Sequence, residues 1–125
     1  MRVLALDPGT TETAFVLWDG RRVLEAEHWP NAEVRQVLIG RNYDMVACEM
    51  IASYGMAVGR EVFETCVWIG RFVELAREPV QLVYRKDVKL HLCHSPRAKD
   101  ANIRQALIDR LGPQGTKKKI GRAHV

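Results

Sequence analysis

The sequence predicts an α/β domain: a mixed sheet of about five strands that begins with an antiparallel hairpin and carries helices on its faces. Three observations predict it. Residues 2–28 hold three runs of strand length, the first continuously apolar and the second and third joined by the turn pair Asp19-Gly20. Strand-length runs then alternate with segments of helical periodicity, the pattern of a sheet with helices packed on it. Two of the strands run straight into a carboxylate, Asp7 in one case and Glu49 in the other.

The first strand, residues 2–7, is continuously apolar, as a central strand should be. Pro8-Gly9 breaks it, and residues 12–18 and 22–28 follow as the second and third strands. Pro30-Asn31 opens a helix over 31–40 with Val34, Val37 and Leu38 on one face and Gly40 as its stop. Residues 44–50 form the fourth strand. The loop Ala52-Ser53-Tyr54-Gly55 leads into a long helix over 57–77. There Val62, Cys66, Ile69, Val73 and Ala76 recur at spacings of three and four, and Gly70 predicts a close approach to a neighbour. Residues 80–84 form the fifth strand, followed by the basic segment Arg85-Lys86-Asp87-Val88-Lys89. Another helix begins after Ser95-Pro96 and stops at Gly112-Pro113.

At 125 residues and 47% hydrophobic, the chain has material for one domain and one core. No apolar run reaches membrane-spanning length, and Asp7 interrupts any secretory pattern, so the expectation is a cytoplasmic protein without membrane contact. Cys48, Cys66 and Cys93 lack paired or metal-ligand spacing and read as reduced core residues. Trp18, Trp29 and Trp68 read as packing residues.

Charge is divided along the chain. Residues 1–84 carry 8 Lys/Arg against 12 Asp/Glu, a net of −4, whereas residues 85–125 carry 11 against 3, a net of +8. An acidic body with a basic C-terminal third fits a polyanion approaching one side. The final residues, Lys119 to Val125, match one reading frame of a common sequencing-adapter sequence. The expectation is therefore one α/β domain over 1–112, incomplete at its end, with a disordered tail over 113–125 of which 119–125 is translated adapter. Without Lys119 and Arg122 the C-terminal third still carries a net charge of +6.

An Asp at the end of a buried strand needs something to compensate its charge: a metal ion, or a nest of backbone N–H groups that Gly9-Thr10 can build. If the first and fourth strands are parallel neighbours, Asp7 and Glu49 emerge at one edge of the sheet. Paired there, they suit a hard divalent cation, and two such ions clamp the oxygens of a phosphodiester during hydrolysis.

The run Leu4-Ala5-Leu6-Asp7-Pro8-Gly9-Thr10 resembles the first motif of the RuvC-like Holliday junction resolvases, in the RNase H-like superfamily. Ala47-Cys48-Glu49-Met50 falls where that family places its second acid, before a long helix. Val88-Lys89 with Ala98-Lys99-Asp100 is similar to a later segment in which a lysine begins a helix beside the active site. The resemblance covers residues 1–112 and is nearest to compact phage and prophage forms. It implies an RNase H-like sheet and an endodeoxyribonuclease that cuts branched DNA as a homodimer, with Asp7 and Glu49 as ligands of Mg²⁺ or Mn²⁺. It also implies that Lys99 approaches the scissile phosphate. Asp100 supplies a further acid or simply suits the first turn of a helix. Arg85, Lys86, Lys89, Arg97 and Lys99 become the phosphate contacts. The chain departs from the family in ending before the final acidic helix and in placing no aromatic directly after Glu49.

Two other readings stay open. One is a non-catalytic nucleic-acid-binding domain of the same fold. The other is a fragment of an actin-like or sugar-kinase ATPase, since Asp7-Pro8-Gly9-Thr10-Thr11 has the wording of a phosphate loop but lacks the second domain such proteins need.

Overall fold

The structure is a computed structural model that describes residues 1–53 and 55–88. Its elements follow the order β1 (Val3–Pro8), β2 (Glu12–Trp18), β3 (Val23–Pro30), α1 (Asn31–Gly40), β4 (Met45–Met50), α2 (Arg60–Leu75) and β5 (Val80–Tyr84). The strands form a single sheet in the order β3-β2-β1-β4-β5. β1, β2 and β3 pair antiparallel, whereas β4 runs parallel to β1 and β5 parallel to β4. β1 is central, as its unbroken apolar character predicts.

The hairpin between β2 and β3 turns through residues 19–22. Asp19 holds it, its Oδ1 accepting the N–H groups of Arg21 and Arg22 at 2.9 Å each, and Gly20 takes a φ of +103°. The turn is longer than a two-residue link because the register shifts between Leu17 and Trp18.

Side chains alternate across a strand, so every second residue of the sheet meets the helices. On that face Leu4, Leu6, Phe15, Leu17, Val46 and Cys48 pack with Val34, Val37 and Leu38 of α1 and with Ile69 and Phe72 of α2. Both described helices lie on this one face. The other face carries smaller apolar groups, among them Ala5, Val16, Ala47 and Val83, all of them half-buried. Burying the residues of the helix face is the main stabilising term, at roughly 1.5–3 kcal/mol for each large apolar side chain.

α1 has the predicted limits and buries the predicted residues, Val34, Val37 and Leu38. Its C-terminal end is fastened by polar contacts. Arg41 makes a two-pronged contact with Glu25 at 2.7 and 2.9 Å, and Tyr43 donates its hydroxyl to the Leu38 carbonyl at 2.6 Å. The backbone N–H of Arg77 donates to that same hydroxyl at 3.1 Å, which ties the end of α2 to the end of α1.

α2 differs from the sequence expectation in phase and in length. It starts at Arg60 after an extended Gly59, and it buries Thr65, Ile69 and Phe72. Val73, expected in the core, is 39% exposed. Gly70 lies on the outer side, and a Cβ there would meet nothing within 4 Å, so it serves no close approach. Apolar residues spread over more than half the circumference of this helix, so periodicity alone leaves its rotation uncertain by a fraction of a turn. The large rings decide it: Phe72 enters the core, and Trp68 stacks beside it with ring centroids 5.7 Å apart. Of the other tryptophans, Trp29 meets Phe15 edge-on at 5.0 Å, but Trp18 is 40% exposed. The helix expected after Pro96 lies outside the described residues.

The rotation of α2 sets a stability test. Phe72→Ala should lower the unfolding free energy by about 3–5 kcal/mol. Val73→Ala should change it by about 0.5 kcal/mol or less, as surface substitutions do. Urea denaturation of both variants checks the pair.

Candidate metal centre on the open sheet face

The parallel register of β1 and β4 pairs Val3 with Met45, Leu4 with Val46, Ala5 with Ala47 and Leu6 with Cys48. One further step along the same register sets Asp7 across from Glu49. Leu4, Leu6, Val46 and Cys48 point into the core, so alternation sends both carboxylates to the face away from the helices. Asp7 is exposed and Glu49 half-buried. Glu49 opens onto a cleft of about 220 Å³ lined by Ala5, Leu6, Ala47, Val83, Arg85 and Val88. The small side chains at positions 5 and 47 leave this space beside the acids.

Two adjacent carboxylates repel, and burial adds to the penalty. The Glu49 carboxyl is accordingly pushed up to about 7 from an ordinary value of 4.5. Burial is the largest cause, followed by a hydrogen bond with the Asp7 carboxyl and by the Asp7 charge, while Arg85 pulls the other way. Arg85 Nη1 stands 3.7 Å from Glu49 Oε1, with both side chains partly exposed. One partly solvated guanidinium is not enough to keep both carboxyls ionised. Under the pair, Cys48 is pushed up to about 12, mainly by burial and then by Glu49 and Asp7, so its thiol stays protonated and unreactive.

The turn that carries Asp7 is held from below. Asn31, buried at the start of α1, donates from Nδ2 to the Gly9 carbonyl at 2.9 Å and accepts the Thr13 hydroxyl on Oδ1 at 2.5 Å. Its backbone N–H donates to the Thr11 carbonyl at 2.9 Å. From the α2 side, Thr10 donates its hydroxyl to the Glu61 carbonyl at 3.2 Å and lies 3.2 Å from the Thr65 hydroxyl. A Cβ on Gly9 would stand 2.5 Å from the Glu12 carbonyl oxygen, so this close turn needs glycine.

Of the residues singled out from sequence, Asp7, Glu49 and Arg85 are brought together, and Lys86 is exposed in the helical turn over 85–88 that follows β5. Lys89, Arg97, Lys99 and Asp100 lie outside the described residues. The described residues contain no group of three or more His, Cys, Asp or Glu able to hold a metal, so the pair is the acidic part of the site seen there. Sequence reasoning missed the facing of Arg85 toward Glu49 and the role of Asn31, which reads in sequence only as a helix opener. Asn31 follows Pro30 in a strand-to-helix junction, a setting in which an amide has backbone partners on both sides, and that was the available signal.

A mixed sheet in this order, with a hairpin start and helices against it, is the RNase H-like α/β fold. Among solved structures, RuvC of Thermus thermophilus matches with a TM-score of 0.68 and 20% identity, over 99% of this chain and 89% of that one. The T. thermophilus RuvC in complex with a Holliday junction substrate matches with a TM-score of 0.69 and 18% identity, over 99% and 88%. At such identities the likeness establishes the fold. No protein-family model and no curated protein matches the chain. Among the described residues, no helix is long and apolar enough to cross a membrane.

The raised Glu49 predicts a pH dependence with a definite sign. A carboxyl whose folded-state value lies above its unfolded value stabilises the fold at low pH, and that contribution is lost as pH rises through the folded value. In metal-free buffer the unfolding free energy should therefore fall between about pH 4.5 and pH 7, by an amount moderated by the partial exposure of Glu49. Glu49→Gln should flatten this segment, as read from urea midpoints across the range.

Proposed function

We propose that the protein is a metal-dependent endodeoxyribonuclease that resolves four-way DNA junctions by hydrolysing phosphodiesters. The observation that carries this reading is the pairing of Asp7 and Glu49 at neighbouring strand ends on an open face, with Arg85 3.7 Å from Glu49 at its rim. Oxygen donors alone, closely set and partly hydrated, suit a hard divalent cation and suit soft metals poorly. Asp7 and Glu49 would hold Mg²⁺ or Mn²⁺, with Asp100 as a candidate further acid. When bound, the ion supplies a nucleophile at neutral pH and charge stabilisation at the phosphate. The RuvC fold supports the substrate class, since the T. thermophilus protein of this fold is seen with a Holliday junction.

The remaining roles belong to basic side chains. Arg85, at the rim of the cleft, neutralises a phosphate seated over the acids, and Lys86, Lys89 and Arg97 extend the contact along the backbone. Lys99 reaches the scissile phosphate and stabilises its developing charge.

Two cuts at a symmetric junction call for two sites, and the outer side of α2 offers a surface for pairing two copies. Phe63 and Val67 are 62% and 55% exposed there, one helical turn apart, and Gly70 continues the line. The flanking charges are self-complementary. Arg60 and Glu64, paired with each other within one copy, and Arg71 and Glu74 flank the strip, so basic and acidic groups lie at both of its ends. A homodimer through α2 is the arrangement this reading proposes.

Three outcomes test this reading. Asp7→Asn and Glu49→Gln should each lower Mg²⁺- or Mn²⁺-dependent cutting of a synthetic four-way junction by about 10²-fold or more while leaving junction binding in place. Cutting equal to wild type in both variants overturns the metal assignment, and tight binding without any cutting favours a binding module. Arg85→Gln should weaken junction binding and reduce the slope of its salt dependence by about 1. Val67→Asp should convert the protein to monomers in sedimentation, because it sets like charges across the two-fold axis.

A further inference from the structure

We infer that Asn31 is a positioning residue for the metal centre: it locks the turn that aims Asp7 and thereby sets divalent-cation affinity. The inference rests on the reading of Asp7 and Glu49 as metal ligands. Asn31 is 2% exposed and its side chain touches neither acid. It bonds the turn between β1 and β2 at the Gly9 and Thr11 carbonyls, and the Thr13 hydroxyl in the first residues of β2. Thr13 is itself fully buried and pairs with Pro8, the residue after Asp7.

The chain between this lock and Asp7 is short and stiff. Pro8 has a fixed φ, so a displacement of Gly9 is passed to Asp7 with little absorbed on the way. Gly9 is already close against the Glu12 carbonyl, which leaves the turn no room to relax inward. Thr10 is held from the α2 side by Glu61 and Thr65, so the turn is fixed at both flanks. A side-chain amide suits the central position because it donates to one partner and accepts from another at once. No hydrophobic residue can serve both Gly9 and Thr13, and a buried hydroxyl lacks the reach.

Such a network contributes to stability wherever it lies, so the test must separate position from stability. Tyr43 is the control. It is 4% exposed, its hydroxyl is bonded on both sides, and it lies just before β4, at the end of the sheet away from Asp7. Mn²⁺ affinity of the full chain is measured from the EPR signal of free Mn²⁺, at a temperature where circular dichroism shows every variant folded. Asn31→Ala should bind Mn²⁺ about tenfold more weakly, the size of effect found when supporting groups around a metal site are removed. Tyr43→Phe should stay within twofold of wild type although its melting temperature also falls. Thr13→Val should weaken binding in the same direction as Asn31→Ala, and Thr13→Ser, which keeps the hydroxyl, should restore it. Mn²⁺ affinity unchanged in Asn31→Ala while Asp7→Asn abolishes binding overturns the positioning role alone. Equal losses in Asn31→Ala and Tyr43→Phe also overturn it. Binding unaffected by Asp7→Asn removes the metal centre itself, and the inference with it.

Discussion

Parallel pairing of β1 with β4 is the constraint on which the molecule turns. Two parallel strands cannot be joined by a tight turn, so the chain must travel back to the starting edge before pairing again. Here the return consists of the β2–β3 hairpin, which extends the sheet, and α1, which packs on its helix face. The register that results is fixed by side-chain alternation. A slip by one residue would turn Val46 and Cys48 out of the core and send Glu49 into it. Hydrophobic packing on one side of the sheet thus enforces a like-charge contact on the other. Glu49 bears the strain of that contact, and the core beneath keeps the two acids from moving apart.

Much of this was readable from residues alone. All five strands and α1 lie within two residues of where strand-length runs and turn pairs put them, because run length and Gly or Pro punctuation agree there. The meeting of Asp7 and Glu49 was readable only under the condition that their strands be parallel neighbours, which the sheet order satisfies. The rotation of α2 was not readable. Val62, Phe63, Cys66, Val67, Ile69, Phe72 and Val73 leave several faces almost equally apolar, and only the shape of the space above the sheet selects Phe72. The partners of Asn31 were hidden for another reason: a buried amide is satisfied by groups far apart in sequence, here at Gly9 and Thr13. Arg85 was read for its charge toward DNA, whereas its facing toward Glu49 depends on how β5 ends beside β4.

The two exposed features of the fold lie on opposite sides of the sheet. The carboxylates occupy the face without described helices, and the Phe63–Val67 strip points outward from the helix layer. The polar fastening of α1 to α2 through Tyr43 and Arg77 keeps that layer rigid between them.

Gly9 carries a final consequence. Because its hydrogen is all that fits against the Glu12 backbone, the triplet Asp7-Pro8-Gly9 behaves as one inseparable unit. Asp7 brings the charge, Pro8 ends the strand, and Gly9 lets the chain double back without colliding with itself. A search for distant kin of this chain is therefore best anchored on that three-letter signature, with an amide-bearing residue at the first position of the next helix as its companion.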